Sequence, residues 1–174
     1  MARPRRSRSS SILGTRTLIF ATVGTQLPFD RLMIALNKWA SDHPEEEVIA
    51  QTGPTKSTFP YLTCSNFLSP SQVEQATSAC RLVVAHAGMG TVLTALRFKK
   101  PVILMPRKAS FGEHRNEHQL ATARWLKSTP GIYVAWETDD LTSLLSTSSF
   151  GDAGGIVDYA QPELLNRLKE FIAG

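Results

Sequence analysis

Two patterns predict an α/β chain built on a parallel sheet with helices on both faces. Short runs of apolar, β-branched residues, continuous rather than alternating, mark strands buried on both sides. Between them lie stretches whose apolar residues recur at the spacing of an amphipathic helix. A third observation is bulk: 174 residues, 42% hydrophobic and 20% charged, suit one globular domain with a single core. Strands alternating with helices in this way imply a doubly wound, Rossmann-like sheet, in which ligands bind outside the carboxyl ends of the strands.

The first strand is TLIFATVG (17–24), closed by Gly24. In FDRLMIALNKWASDH (29–43), Phe29, Leu32, Met33, Leu36 and Trp39 fall on one helical face. EVIAQTG (47–53) is the second strand and, after a loop with Pro54 and Pro60, YLTCSNF (61–67) the third. Ser69 as N-cap, Pro70 at the first helical position and Gln72 three residues after the cap form a capping box, so a helix begins there. Strand RLVVAHA (81–87), a helix over 89–99, strand PVILMP (101–106), a helix over 112–127 and strand GIYVAWE (131–137) follow. A short helix near 139–146 and a last one near 162–172 complete the alternation, with STSSFGDAGG (146–155) as a surface linker.

The formal charge of +4 points toward nucleic acid until it is located. Arg3, Arg5, Arg6 and Arg8 supply all of it, and the rest of the chain sums to +4 − 4 = 0. Residues 1–15 therefore read as a disordered basic tail and 16–174 as a single, electrically neutral domain with no nucleic-acid partner. Gly14, Thr15 and Arg16 interrupt the apolar stretch that a secretory signal needs, so no export is expected. Cys64 and Cys80 stand singly and read as buried thiols in a reducing compartment.

Chemistry concentrates in three places. In VVAHAGMGTVLTAL (83–96), Gly88 and Gly90 sit where a strand feeds a helix, with His86 before them and the Thr91 hydroxyl after. Such a turn presents free N–H groups with the helix dipole behind them, which suits phosphate, although a packing turn explains glycines as well. VGTQLPFDRL (23–32) repeats the arrangement with Gly24, Thr25 and Gln26. The densest polar stretch is MPRKASFGEHRNEHQLATARWL (105–126). Ser110 and Glu113 read there as a second capping box, and His114 and His118 share a helix face with Arg115, Asn116 and Gln119 beside them. The HxxxH pair lacks the glutamate and the third ligand of a zinc site, so no metal is expected. Amides, imidazoles and a guanidinium together suit the hydroxyls of a sugar. Arg107 and Lys108 add more positive charge than a neutral hexose requires, which leaves a uronic-acid donor open.

The segments AHAGMGT, KKPVILMPRK and GEHRNEHQLATA resemble, across about residues 17–145, the C-terminal, donor-binding half of GT-B glycosyltransferases of family 28. The likeness is to the free-standing catalytic subunits of two-component transferases, dolichol-linked N-acetylglucosaminyl and bacterial exopolysaccharide. It implies a UDP-sugar donor, itself a substrate, and no cofactor. Carried onto this chain, Gly24 and Thr25 would line the phosphate side, and Phe67 and Leu68 would lie near the uracil. His86, Gly88, Met89, Gly90 and Thr91 would hold the diphosphate, and Asn116, His118 and Gln119 the sugar, with Arg115 counted beside them. Where many relatives carry a ribose-gripping glutamate, this chain has Thr94. It also lacks an acceptor-binding N-terminal half, so the resemblance implies a separate membrane-anchored subunit that presents a lipid-linked saccharide acceptor.

The expected function is therefore inverting transfer of a sugar from a UDP-sugar in polysaccharide or glycolipid assembly. The expected place is the cytoplasm, peripheral at the membrane through the partner. Inversion needs a general base on the acceptor hydroxyl. His114 and Glu113 are the candidates here, with the partner as another source. The alternatives are a non-catalytic nucleotide-sugar-binding regulatory module and an NAD-type Rossmann enzyme, against which the missing ribose acid argues.

Overall fold

The structure, a computed structural model, describes residues 17–147, 149 and 150. The basic tail, most of the 146–155 linker and the helix expected near 162–172 lie outside the described residues. Six strands form one sheet in the order β3-β2-β1-β4-β5-β6, every neighbouring pair parallel. They are β1 (Thr17–Thr22), β2 (Glu46–Gln51), β3 (Thr63–Ser65), β4 (Leu82–His86), β5 (Val102–Met105) and β6 (Ile132–Val134). The helices are α1 (Asp30–Asp42), α2 (Pro70–Ala79), α3 (Met89–Arg97), α4 (His118–Leu126) and α5 (Thr138–Leu145). This is the doubly wound, Rossmann-like order, with a switch point between β1 and β4.

The pleat sends alternate residues of the central strands into two cores. Ile19, Ala21, Leu82, Val84, Ile103 and Met105 pack under α1 and α5 with Leu32, Leu36, Trp39 and Leu141. Phe20, Val83, Ala85, Val102 and Leu104 pack on the other face with Val92, Ala95 and Leu126 of α3 and α4. Continuous apolar strands are what a sheet covered on both faces requires, so the strongest sequence signal and the deepest burial coincide. The capping box at α2 forms as expected: Gln72 N–H donates to the Ser69 hydroxyl at 3.3 Å and Ser69 N–H to the Gln72 side chain at 2.8 Å.

Four expectations need correction. The edge strands β3 and β6 are shorter than the apolar runs that announce them, three residues each. Cys64 is exposed, because β3 is an edge strand whose three residues all face solvent; Cys80 is buried, its thiol donating to the Thr77 carbonyl at 3.2 Å. The helix expected over 112–127 begins only at His118, after a 3₁₀ turn (Ala109–Phe111) and a bent segment. The Ser110/Glu113 capping box does not form. Glu113 instead accepts from the Arg31 guanidinium at 2.7 and 2.9 Å and from Lys108 N–H at 2.9 Å, which ties the segment to α1.

Candidate functional site

At the switch point between β1 and β4 the helices that follow the two strands diverge, and a cleft of about 460 Å³ opens at the carboxyl edge of the sheet. That volume lies in the range of small-ligand sites. Three segments form its walls: the β1–α1 loop with Val23, Gly24, Thr25, Gln26 and Leu27; the β4–α3 junction with His86, Gly88, Gly90 and Thr91; and Arg107, His114 and Gln119 from the β5–α4 region.

The His86 ring is seated between two glycines. A Cβ on Gly88 would stand 2.2 Å from His86 Nε2, and one on Gly24 would stand 3.0 Å from Cε1. Gly24 also has φ +77, a conformation that favours glycine, whereas Gly88 is extended at φ −96 and is needed for its missing side chain alone. Gly90 differs: a Cβ there meets no atom within 4 Å and faces open space. His86 Nδ1 is buried without a hydrogen-bond partner. Burial first, then the nearby charge of Arg107 and to a lesser degree His114, lowers the ring from its ordinary value to about 4, with the Thr22 backbone opposing. At neutral pH the ring is uncharged and carries one N–H. Behind it, α3 starts without a side-chain cap, so the first N–H groups of the helix are left for water or a ligand.

Arg107 is buried, with 2% of its surface exposed, and both terminal nitrogens of its guanidinium are engaged. Nη2 donates to the carbonyls of Val23 at 2.7 Å and Leu27 at 2.8 Å; Nη1 donates to Pro28 at 2.6 Å and Glu113 at 3.3 Å. Its backbone N–H donates to Gln119 Oε1 at 3.0 Å. Burial lowers its pKa to about 10, Glu113 opposing, so it stays cationic at neutral pH. The side chain borders the cleft, yet both terminal nitrogens donate into protein.

The sequence matches the description "Glycosyltransferase family 28 C-terminal domain" over residues 18–145. The chain belongs to glycosyltransferase family 28. No curated protein matches it. Among solved structures, the kitacinnamycin glycosyltransferase superposes with a TM-score of 0.65 at 15% identity, over 95% of this chain and 43% of that one. The glycosyltransferase SsfS6 of Streptomyces sp. SF2575, solved with thymidine diphosphate, gives 0.55 at 22%, over 90% and 41%. The solution structure of ALG13 gives 0.56 at 17%, over 79% of this chain and 87% of that one. These likenesses establish the fold, that of the C-terminal half of GT-B enzymes. The chain spans under half the length of the kitacinnamycin enzyme it matches.

Of the residues that the family resemblance singles out, the cleft gathers Gly24, Thr25, His86, Gly88, Gly90, Thr91 and Gln119, with His114 beside them. Others lie elsewhere. Met89 and Leu68 turn into the core under α3, and Phe67 is exposed away from the cleft walls. Arg115 and Asn116 on the bent segment and His118 at the start of α4 are exposed; Asn116 Oδ1 accepts from His118 N–H at 3.2 Å and bonds His114 Nδ1 at 3.0 Å. Glu113 is held by Arg31 and does not line the cleft. Thr94 turns its hydroxyl onto the Gly90 carbonyl at 2.9 Å. Of the cations expected near the sugar, Arg107 lines the cleft but commits both terminal nitrogens to carbonyls, and Lys108 pairs with Glu137. Sequence reasoning placed Arg107 near the sugar as spare positive charge and missed that it is a buried wall of the site bonded to loop carbonyls; the signal available was a basic residue directly after a fully buried strand. Among the described residues no helix is long and apolar enough to cross a membrane, and no three His, Cys, Asp or Glu side chains gather as metal ligands.

Proposed function

We propose that this chain is the donor-binding, catalytic part of an inverting glycosyltransferase that uses a UDP-sugar and transfers the sugar to a lipid-linked acceptor held by a separate, membrane-anchored subunit. The observation that supports the reading is the junction of β4 and α3: an uncapped helix start, an open face at Gly90 and the His86 ring converge at the switch point of the sheet. Helix N–H groups and the dipole behind them favour a diphosphate. They strengthen as the bond from the anomeric carbon to the diphosphate oxygen breaks and charge gathers on the leaving UDP. Of the two candidate bases, His114 lines the cleft and Glu113 is committed to Arg31, so His114 takes the proton of the acceptor hydroxyl as that oxygen attacks the anomeric carbon. The donor is a substrate, and the scheme uses no cofactor. The place of work is the cytoplasmic face of a membrane, reached through the partner.

Thermal melts with UDP, thymidine diphosphate, ADP and NAD test the reading. A ligand of the native state alone stabilises by about 2.7 kcal/mol at a hundredfold excess over Kd. UDP is expected to give the largest shift and NAD none. No shift with any nucleoside diphosphate, or an equal one with NAD, overturns the donor assignment.

A further inference from the structure

Three carbonyls of the β1–α1 loop, those of Val23, Leu27 and Pro28, converge on one buried point together with the Glu113 carbonyl from the far wall of the cleft. Four partial negative charges turned inward repel one another, and each is a buried acceptor that must be satisfied. The Arg107 guanidinium fills that point. Below it lies the buried ring of Phe29, whose centroid is 4.9 Å from the guanidinium carbon of Arg107 and 5.3 Å from that of Arg31. Arg31 in turn grips Glu113 and the Pro106 carbonyl, the latter at 3.1 Å, so two guanidiniums on one aromatic ring fasten the same two segments. The segments are the two sides of the cleft. Val23 and Leu27 bracket Gly24 and Thr25, and Glu113 precedes His114.

We propose that Arg107 is the positioning residue of this cleft: its guanidinium joins the β1–α1 loop to the segment before α4, so that the wall carrying Gly24 and Thr25 and the wall carrying His114 keep a fixed spacing before the donor arrives. The inference rests on the donor reading above for its purpose and on the hydrogen bonds alone for its structure. Arginine is required because its planar fork reaches carbonyls on both edges at once. A lysine carries the same charge at a single point and cannot span them.

The test separates positioning from charge. UDP affinity and hydrogen exchange of the loop amides at 24–27 are measured in the wild type, in Arg107→Lys and in Arg107→Met. Leu141→Ala, in the core under α5, serves as a control of lowered global stability. If the loop holds its binding geometry only a tenth of the time, affinity falls about tenfold. Both Arg107 variants are expected to lose that much and to lose loop protection, while Leu141→Ala keeps its UDP affinity. A lysine variant that binds UDP like the wild type would assign Arg107 a role through charge and overturn positioning; so would unchanged loop exchange. If the lysine variant does not fold, nitrogen-15 spectra of the wild type decide: four bonded acceptors predict separate, slowly exchanging Nη signals for Arg107, and averaged signals refute the clamp. A wild type that binds no nucleoside diphosphate removes the donor reading, while the exchange comparison still decides the clamp.

Discussion

Replacing Gly88 by alanine would place a methyl carbon 2.2 Å from His86 Nε2, 2.8 Å from Cε1 and 2.9 Å from Cδ2. Non-bonded carbon contacts sit at about 3.5–4.0 Å, so the nearest overlap exceeds roughly 1 Å. Backbone conformation is no obstacle, since φ −96 and ψ 128 lie in the extended region open to alanine. Relief must come from the imidazole, and the imidazole is boxed: on the Gly24 side a Cβ would have only 3.0 Å to Cε1. The expected cost is that of overpacking, about 1–3 kcal/mol. Alanine is also a poorer N-cap than glycine, by up to ~1 kcal/mol, and that part is independent of the ring. A double-mutant cycle with His86→Ala separates the two. In the His86→Ala background Gly88→Ala should retain only the cap loss, leaving a coupling energy of about 1–2 kcal/mol between the positions. Urea unfolding of the four proteins supplies the numbers. A coupling within about 0.5 kcal/mol of zero would mean that the ring does not rest on Gly88, and the account of that glycine would fail.

Two further expectations follow from the same junction. Gly90→Ala adds a methyl that meets nothing within 4 Å, so stability should rise by roughly 0.5–1 kcal/mol in the helical backbone while UDP affinity falls; unchanged affinity would show that no ligand approaches there. His86, at about 4 in the folded chain against an ordinary 6.5, binds fewer protons folded than unfolded between those values. Stability is thus intact above pH 6.5 and is lost as pH falls toward 4, by on the order of 3 kcal/mol, and His86→Gln should flatten that slope in urea midpoints taken across the window.

How much of this was legible depends on whether the deciding partner lies near in the chain. The strands β1, β2, β4 and β5 show in the sequence because burial on both faces leaves a continuous apolar run. The start of α2 shows because its capping box closes within three residues. The start of α4 misleads for the opposite reason. Ser110 and Glu113 carry a capping signature, but the Glu113 carboxylate is taken by Arg31, 82 residues earlier in the chain. Arg107 is visible as a basic residue after a buried strand, yet the loop carbonyls that define its role lie 79 to 84 residues away. Met89 packs against the core and Phe67 is exposed outside the cleft lining, and sequence position cannot tell which way a side chain turns.

The glycine turn shows most clearly what geometry adds. Read as sequence, both glycines of AHAGMG make room for a phosphate; in the fold both line the cleft, but only Gly90 has open space where a side chain would stand, and Gly88 makes room for an imidazole. That division matters for the proposed reaction. A cationic side chain aimed into the cleft would attract the diphosphate of substrate and product alike, which lowers the free energy of bound states without lowering the barrier between them. Here the arginine that lines the cleft has both terminal nitrogens committed to carbonyls, and the ring that borders the turn is neutral at physiological pH. The helix start, the Thr25 and Thr91 hydroxyls and the imidazole are left to meet an anion, groups whose interaction grows as negative charge develops on the leaving group. A diphosphate beside the ring also favours its protonated form, so UDP binding should take up protons in mildly acidic buffer. The fold therefore keeps His86 neutral until a diphosphate arrives, and it does so by burying the ring between two glycines.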